Sequence, residues 1–252
     1  MKDEFYIGWE EKAPPGIRRT TRRAVALVLA VALLAPLALA VSQRLIGKGM
    51  FEWGNVKTFS GVLRASPYPH LLVARPGKAA DASQSAYYLV APWKFGLNPE
   101  KLAAWDGKPV KLKGALIYRD NQTMIETRAD WIQDGKEIPA SLTPSPVQLG
   151  KQTLRGEIVD SKCFLGVMNP GQLAPHRGCA IRCISGGVSP ILVVRPERGA
   201  AICLLLVSAG GKPVNREVLD LVAEPVEVTG EVERQGELLV MRADPATYRR
   251  VR

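Results

Sequence analysis

Along this chain the apolar residues first gather in one unbroken stretch and then scatter into short runs. From Ala24 to Gln43 the sequence AVALVLAVALLAPLALAVSQ carries no charge over twenty residues. At about 1.5 Å rise per residue, a helix of that length spans about 30 Å, the thickness of a bilayer's hydrocarbon core. Beyond it the runs are short and separated by Gly, Pro, Asn and Asp, the punctuation of strands and turns. The pattern predicts strands over residues 58–65, 70–74, 86–91, 109–118 and 123–127, with a tight turn at Asp120-Asn121. One short helix is predicted over 98–105, with Asn98 as N-cap, Pro99 at the first helical position and Glu100 in the first turn. A strand set with a single helix before its fourth member fits a small OB-like barrel.

The second half of the chain repeats the first. Pro109-Val110-Lys111-Leu112-Lys113-Gly114 matches Pro225-Val226-Glu227-Val228-Thr229-Gly230, and Arg128-Ala129-Asp130 matches Arg242-Ala243-Asp244. Upstream, Asn98-Pro99-Glu100 matches Asn215-Arg216-Glu217, Leu71-Leu72-Val73 matches Ile191-Leu192-Val193, and Gly61 matches Gly156. Five segments in one order make a tandem duplication. The copies differ at one place: ten residues separate Gly61 from Leu71, but thirty-five separate Gly156 from Ile191. The extra twenty-five residues hold a Cys/His cassette, whereas the first copy has no cysteine. Reactive residues in only one of two copies read as a site grafted onto a reused scaffold.

The reading is therefore a mainly β protein: an N-terminal transmembrane helix, then two tandem OB-like small β-barrel units, the second with a helical Cys/His insertion. Its parts are a cytoplasmic tail (1–23), the spanning helix (24–43), a first unit (50–133), a Pro-rich linker (134–150) and a second unit (151–252) with the cassette at 160–189. The tail carries the aromatics Phe5, Tyr6 and Trp9, suited to the headgroup level. Arg18, Arg19, Arg22 and Arg23 precede the apolar run, which by the Lys/Arg bias keeps the N-terminus in the cytoplasm and sends the bulk of the chain outward. The lipid bilayer is thus the first expected partner, through residues 24–43, and the expected location is the inner membrane with both units in the periplasm. Two alternatives stay open: cleavage after the A-x-A pattern Ala38-Leu39-Ala40, and a loose twin-arginine signal at Arg22-Arg23.

Charge changes the picture little. The net +10 is spread without a long basic run beyond the N-terminus, and Tyr87-Tyr88 are the only paired rings in the β-units, so nucleic acid is not an expected partner. No Ser/His/Asp or paired-carboxylate pattern supports hydrolysis, and the reading is of a non-enzymatic protein.

The chemistry lies in the cassette, C-x12-H-x2-C-x3-C, formed by Cys163, His176, Cys179 and Cys183. On a helix His176, Cys179 and Cys183 share one face, with Pro175 suited to its start and Gly186-Gly187 to its end. Three thiols and an imidazole suit zinc or copper, and Met168 in the same loop would favour copper(I). No C-x-x-C-H marks a c-type haem, and one histidine is too few for a Rieske cluster. The alternative is a disulfide from Cys163 to Cys179 or Cys183, stapling an interaction module with no metal. Cys203, within AICLLLV, reads as a buried small hydrophobe, and His70 as a strand-edge residue. Asp160 is placed to orient a ligand from behind.

Gly156-Glu157-Ile158-Val159-Asp160, Cys163-Phe164, then His176, Cys179-Ala180 and Cys183, with Gly187 and Pro190 following, resembles a GE(I/V)VDxxC…HxxCAxxC cassette of secreted or membrane-anchored bacterial proteins. The resemblance covers the second unit alone and implies a bacterial envelope location. It implies no activity. The expected role is an accessory subunit of an envelope complex, with a soft-metal or redox cassette and a protein partner.

Overall fold

AYYLVA and AICLLLV are apolar at nearly every position, so strands built from them have no face to give to water and need cover on both sides. The computed structural model describes residues 11–42, 49–74, 84–136 and 146–251 and shows how that cover is provided. Phe5, Tyr6 and Trp9 and most of the linker lie outside the described residues.

The chain divides into two units, Met1–Gly47 and Lys48–Arg252. Among the described residues the first contains one helix, α1 (Pro15–Ser42), which takes in the four arginines and the apolar run as far as Ser42 and continues through Pro36. It is long and apolar enough to cross a membrane, a test that a signal sequence near an N-terminus also passes.

The second unit holds two barrels. In the first, β1 (Met50–Phe51), β2 (Lys57–Arg64), β3 (His70–Ala74) and β4 (Gln84–Val90) lead to the short helix α2 (Pro99–Leu102). Asn98 caps α2 by accepting from the Glu100 N–H at 2.8 Å. There follow β5 (Pro109–Arg119), β6 (Gln122–Glu126) and β7 (Ile132–Asp134), with Asp120 at a positive φ of 52° in the turn between β5 and β6. The strands pair in the order β5-β2-β3-β4-β6, and β6 pairs back onto β5 to close the ring. Every contact in that ring is antiparallel except β4 with β6. This is the five-stranded Greek-key barrel of the OB fold.

The second barrel repeats it with β8 (Val147–Asp160), β9 (Pro190–Val194), β10 (Ile202–Val207), β11 (Pro225–Gln235), β12 (Leu238–Arg242) and the short edge strand β13 (Arg249–Arg250). Its order is β12-β10-β9-β8-β11, closed by β11 with β12, and β10 runs parallel to β12. The matched glycines explain the matched geometry. Gly61 lies opposite Val110, and Gly156 opposite Val226. A Cβ at either would come within 2.5 Å of a carbonyl of the neighbouring strand, at Leu72 or Val193, so the first strand can cross its neighbour closely only without a side chain.

Alternation along the strands decides what each face covers. Leu89 of β4 points into the first barrel with Leu63, Leu71, Val110 and Ile125, while Tyr88 and Val90 point out. Leu204 and Leu206 of β10 point into the second barrel with Ile158, Leu192 and Met241, while Cys203, Leu205 and Val207 point out. The outward sets meet in one shared core between the barrels, together with Cys163, Phe164, Leu165 and Cys183 of the cassette. Tyr68 adds a polar tie, its hydroxyl accepting from the Val214 N–H at 3.0 Å. The cassette is thus an insertion in sequence and part of the interior in space.

Candidate metal centre

The cassette leaves the end of β8, the first strand of the second barrel, on the loop that OB folds commonly use for ligands. Asp160 is fully buried and turns the chain: its Oδ1 accepts from the Cys163 N–H at 2.8 Å. A single wide turn, Cys163–Val167, buries Cys163, Phe164 and Leu165. Phe164 lies under the guanidinium of Arg119, 4.4 Å from ring centroid to Cζ. A 3-10 turn (Ala174–His176) carrying Pro175 then leads into α3 (Arg177–Ser185). Gly186 caps α3, and Gly187 follows at φ 97°, a left-handed position where glycine is favoured. α3 turns Ala180 and Ile184 into the second barrel's core and Cys183 towards Cys163.

Three of the four residues singled out by the spacing come together. Cys163 Sγ lies 3.9 Å from Cys179 Sγ and 4.0 Å from Cys183 Sγ, and all three sulfurs are within 4.8 Å of one another. A disulfide needs about 2.05 Å, and the thiols here are free. A tetrahedral ion with bonds of about 2.3 Å holds its sulfurs about 3.8 Å apart, close to the two edges that meet at Cys163. His176 stands just before α3 and outside the triangle. Its Nε2 pairs with Asp160 Oδ2 at 2.9 Å, both groups buried, and Asp160, Cys163 and His176 form a second close group that shares Cys163 with the first. Asp160 therefore holds the Cys163 backbone with one oxygen and the His176 ring with the other.

The first barrel supplies a part that spacing alone could not show. Lys94 Nζ approaches Cys179 Sγ to 2.7 Å, placing an ammonium beside the most exposed of the three thiols. That hydrogen bond raises the Lys94 pKa. Within the pair of buried thiols, the hydrogen bond to Cys183, followed by burial and the nearby Asp160 charge, pushes Cys163 up, so Cys163 keeps its proton longest. Next to it Lys162, 2% exposed, donates to the carbonyls of Ala91 and Trp93 at 2.8 and 2.7 Å and pairs with Glu126 at 2.6 Å. The one sequence signal for this is a lysine lodged between the apolar pairs of IVDSKCFL.

The remaining candidates fall elsewhere. Cys203 lies in the shared core, where burial pushes its thiol up to about 12. Met168 is 45% exposed, unlike the buried sulfurs of Cys163 and Cys183. His70 is buried, donates from Nδ1 to the Tyr68 carbonyl at 2.9 Å, and has its pKa lowered by burial.

No protein-family model and no curated protein matches this chain. Among solved structures, the wild-type single-stranded DNA binding protein from Thermus aquaticus aligns at 13% identity, with 81% of this chain and 94% of that chain covered and a TM-score of 0.21. The fold assignment rests on the strand pairings; what the chain presents is a mainly β, OB-like module with a three-cysteine cluster whose groups could hold a metal ion.

Proposed function

We propose that this protein is a membrane-anchored, soft-metal-binding accessory subunit of a bacterial envelope complex, in which Cys163, Cys179 and Cys183 bind zinc or copper as thiolates and His176 completes the set. The observation that carries the reading is the sulfur triangle, whose 3.9 and 4.0 Å edges suit a tetrahedral ion and not a disulfide. A histidine held by a carboxylate from behind, as Asp160 holds His176, is the usual arrangement for a metal ligand and supports its place in the set. Lys94 supports it further: three thiolates around a divalent zinc leave a net negative charge, and an ammonium at 2.7 Å offsets it. A tetrahedral zinc closed by four protein ligands has a structural role, while copper in the same sulfur-rich site would serve metal or electron handling. Anchoring through α1, with the barrels in the periplasm, follows from the arginines ahead of the apolar run and is supported by the resemblance of the cassette to those of bacterial envelope proteins.

The test is metal content of the full chain, purified in detergent under reducing conditions, with Cys179→Ser and His176→Ala alongside. One equivalent of zinc or copper in the wild type is expected, with nearly complete loss in Cys179→Ser and a loss of similar size in His176→Ala. A wild type that takes up no metal, and whose melting ignores chelator but falls on reduction, would replace this reading with the disulfide-stapled interaction module.

A further inference from the structure

We infer that loop 92–97 of the first barrel is the readout of the thiolate site: occupancy by metal holds the exposed aromatics Trp93 and Phe95 in one posture, and loss of metal releases them. The inference rests on the metal reading above and adds a conformational consequence to it.

Each backbone piece that carries a thiol of the triangle is bonded to this loop. Lys162, adjacent to Cys163, reaches out of the cassette to the Ala91 and Trp93 carbonyls. Cys179 meets Lys94 directly. One turn beyond Cys183, the Gly186 carbonyl accepts from the Gly96 N–H at 3.0 Å. The fit there depends on absent side chains: a Cβ on Gly96 would stand 2.0 Å from the Gly187 carbonyl oxygen, and one on Gly186 2.2 Å from that of Lys94. Drawing the three sulfurs around an ion, or letting them part, therefore acts on one six-residue segment from three sides.

The segment itself is poised. Trp93 has φ 63°, a conformation that a bulky side chain keeps only where its surroundings impose it. Those surroundings are the cassette's hydrogen bonds. Trp93 is 79% exposed and Phe95 59%, so packing of their own holds them only in small part. A ligand shifts a conformational equilibrium only by its difference in affinity for the two states. Here that difference has a source in geometry: the contacts of Lys94, of the Trp93 carbonyl and of the Gly96 N–H all run to the pieces of chain that an ion would draw together.

The test uses the full chain in detergent, reduced and stripped, titrated with zinc alone while bound metal and tryptophan emission are followed together. The difference in emission and in acrylamide quenching between stripped and loaded protein is expected in wild type and largely lost in Trp93→Phe. Lys94→Ala, which removes the ammonium beside Cys179, is expected to bind zinc more weakly and, at saturating zinc, to show at least a twofold smaller response. Trypsin cleavage after Lys94 is expected to be at least fivefold faster in stripped protein. Stoichiometric zinc with an emission change unaltered by Trp93→Phe, or with equal cleavage rates, overturns the inference and leaves the metal site standing. No zinc uptake overturns both.

Discussion

The two barrels share a fold and differ in one connection. In the first, residues 65–69 carry the chain from β2 to β3; in the second, residues 161–189 carry it from β8 to β9. Both first strands carry a glycine pressed against the second (Gly61 and Gly156), both fourth strands carry one pressed against the fifth (Gly114 and Gly230), and both rings include one parallel pair. The scaffold thus tolerates either connection, and the chemistry follows the longer one. Even so, the long connection is not simply hung on the surface. It contributes Cys163, Phe164, Leu165 and Cys183 to the core between the barrels, so the element that brings chemistry also joins the copies. A site made this way is stiffened by the packing that it completes.

The sharpest break of the comparison is to give the second barrel the first barrel's connection, replacing 161–189 by Ala-Ser-Pro-Tyr-Pro. Truncating one buried aromatic such as Phe164 costs about 3–5 kcal/mol, and this exchange removes seven buried core side chains at once, Cys163, Phe164, Leu165, Ala180, Cys183, Ile184 and Val188. Loss of cooperative urea unfolding, followed by far-ultraviolet circular dichroism, is expected. A variant that unfolds at the wild-type midpoint would mean that the barrels are independent and the cassette is only an ornament.

Next in size is the buried tie between copies. Lys162→Ala leaves Glu126 and two carbonyls without their partner and is expected to cost about 3–5 kcal/mol. Part of that loss should return in the double variant with Glu126→Gln. A change below about 1 kcal/mol in the single variant would show that the ion pair does not join the barrels.

The repeat also offers one residue with two roles. Asn98 caps α2, whereas its counterpart Asn215 donates from Nδ2 to the Ile184 and Val188 carbonyls at 2.8 and 2.9 Å, pinning the end of α3. Asn215→Ala is expected to cost about 2 kcal/mol, as the Val188 carbonyl loses this donor and the Ile184 carbonyl keeps only its backbone partners, and to weaken metal retention. Asn98→Ala is expected to cost about 1 kcal/mol and leave metal content unchanged. Equal effects on metal would remove the distinction.

The smallest effect is one of pH. Where the first barrel has Ile117 in the shared core, the second has Glu233, bonded by Arg242 Nε at 3.0 Å and Nη2 at 2.9 Å. Burial alone would raise the Glu233 pKa, but the bonds from Arg242 outweigh it and hold the carboxyl below its ordinary value of 4.5. A depressed carboxyl contributes stability that is complete above 4.5 and lost as pH falls through the folded value. Glu233→Gln should therefore lower stability at pH 7, by less than about 1 kcal/mol given the partly exposed arginine, with the gap closing as pH falls below 4.5 and through the folded value. A gap that persists at low pH would locate the effect in packing rather than charge.

What the sequence by itself determined is whatever local rules can read. The charge-free run marks a helix of membrane-spanning length, and alternating or continuous apolar runs mark strands, several to within a residue or two. Asn98, Pro175 and Gly186 mark where helices begin and end, and a duplication with one unequal gap marks where the chemistry lies. The cysteines' common approach followed from their spacing once Cys163 was set at the end of a strand. Tertiary structure alone decided which surfaces cover each other. AICLLLV announced a strand buried on both faces, yet nothing in it named the first barrel as the cover. Lys94 and Cys179 are 85 residues apart, and Lys162 and Trp93 are 69 apart. Such pairs arise only when two closed rings are pressed together, and periodicity carries no information beyond a few turns or one strand. For the same reason His176, in step with Cys179 and Cys183 on an idealised helix, sits ahead of α3 instead: the buried carboxylate of Asp160 draws it there, and that partner lies on a different element.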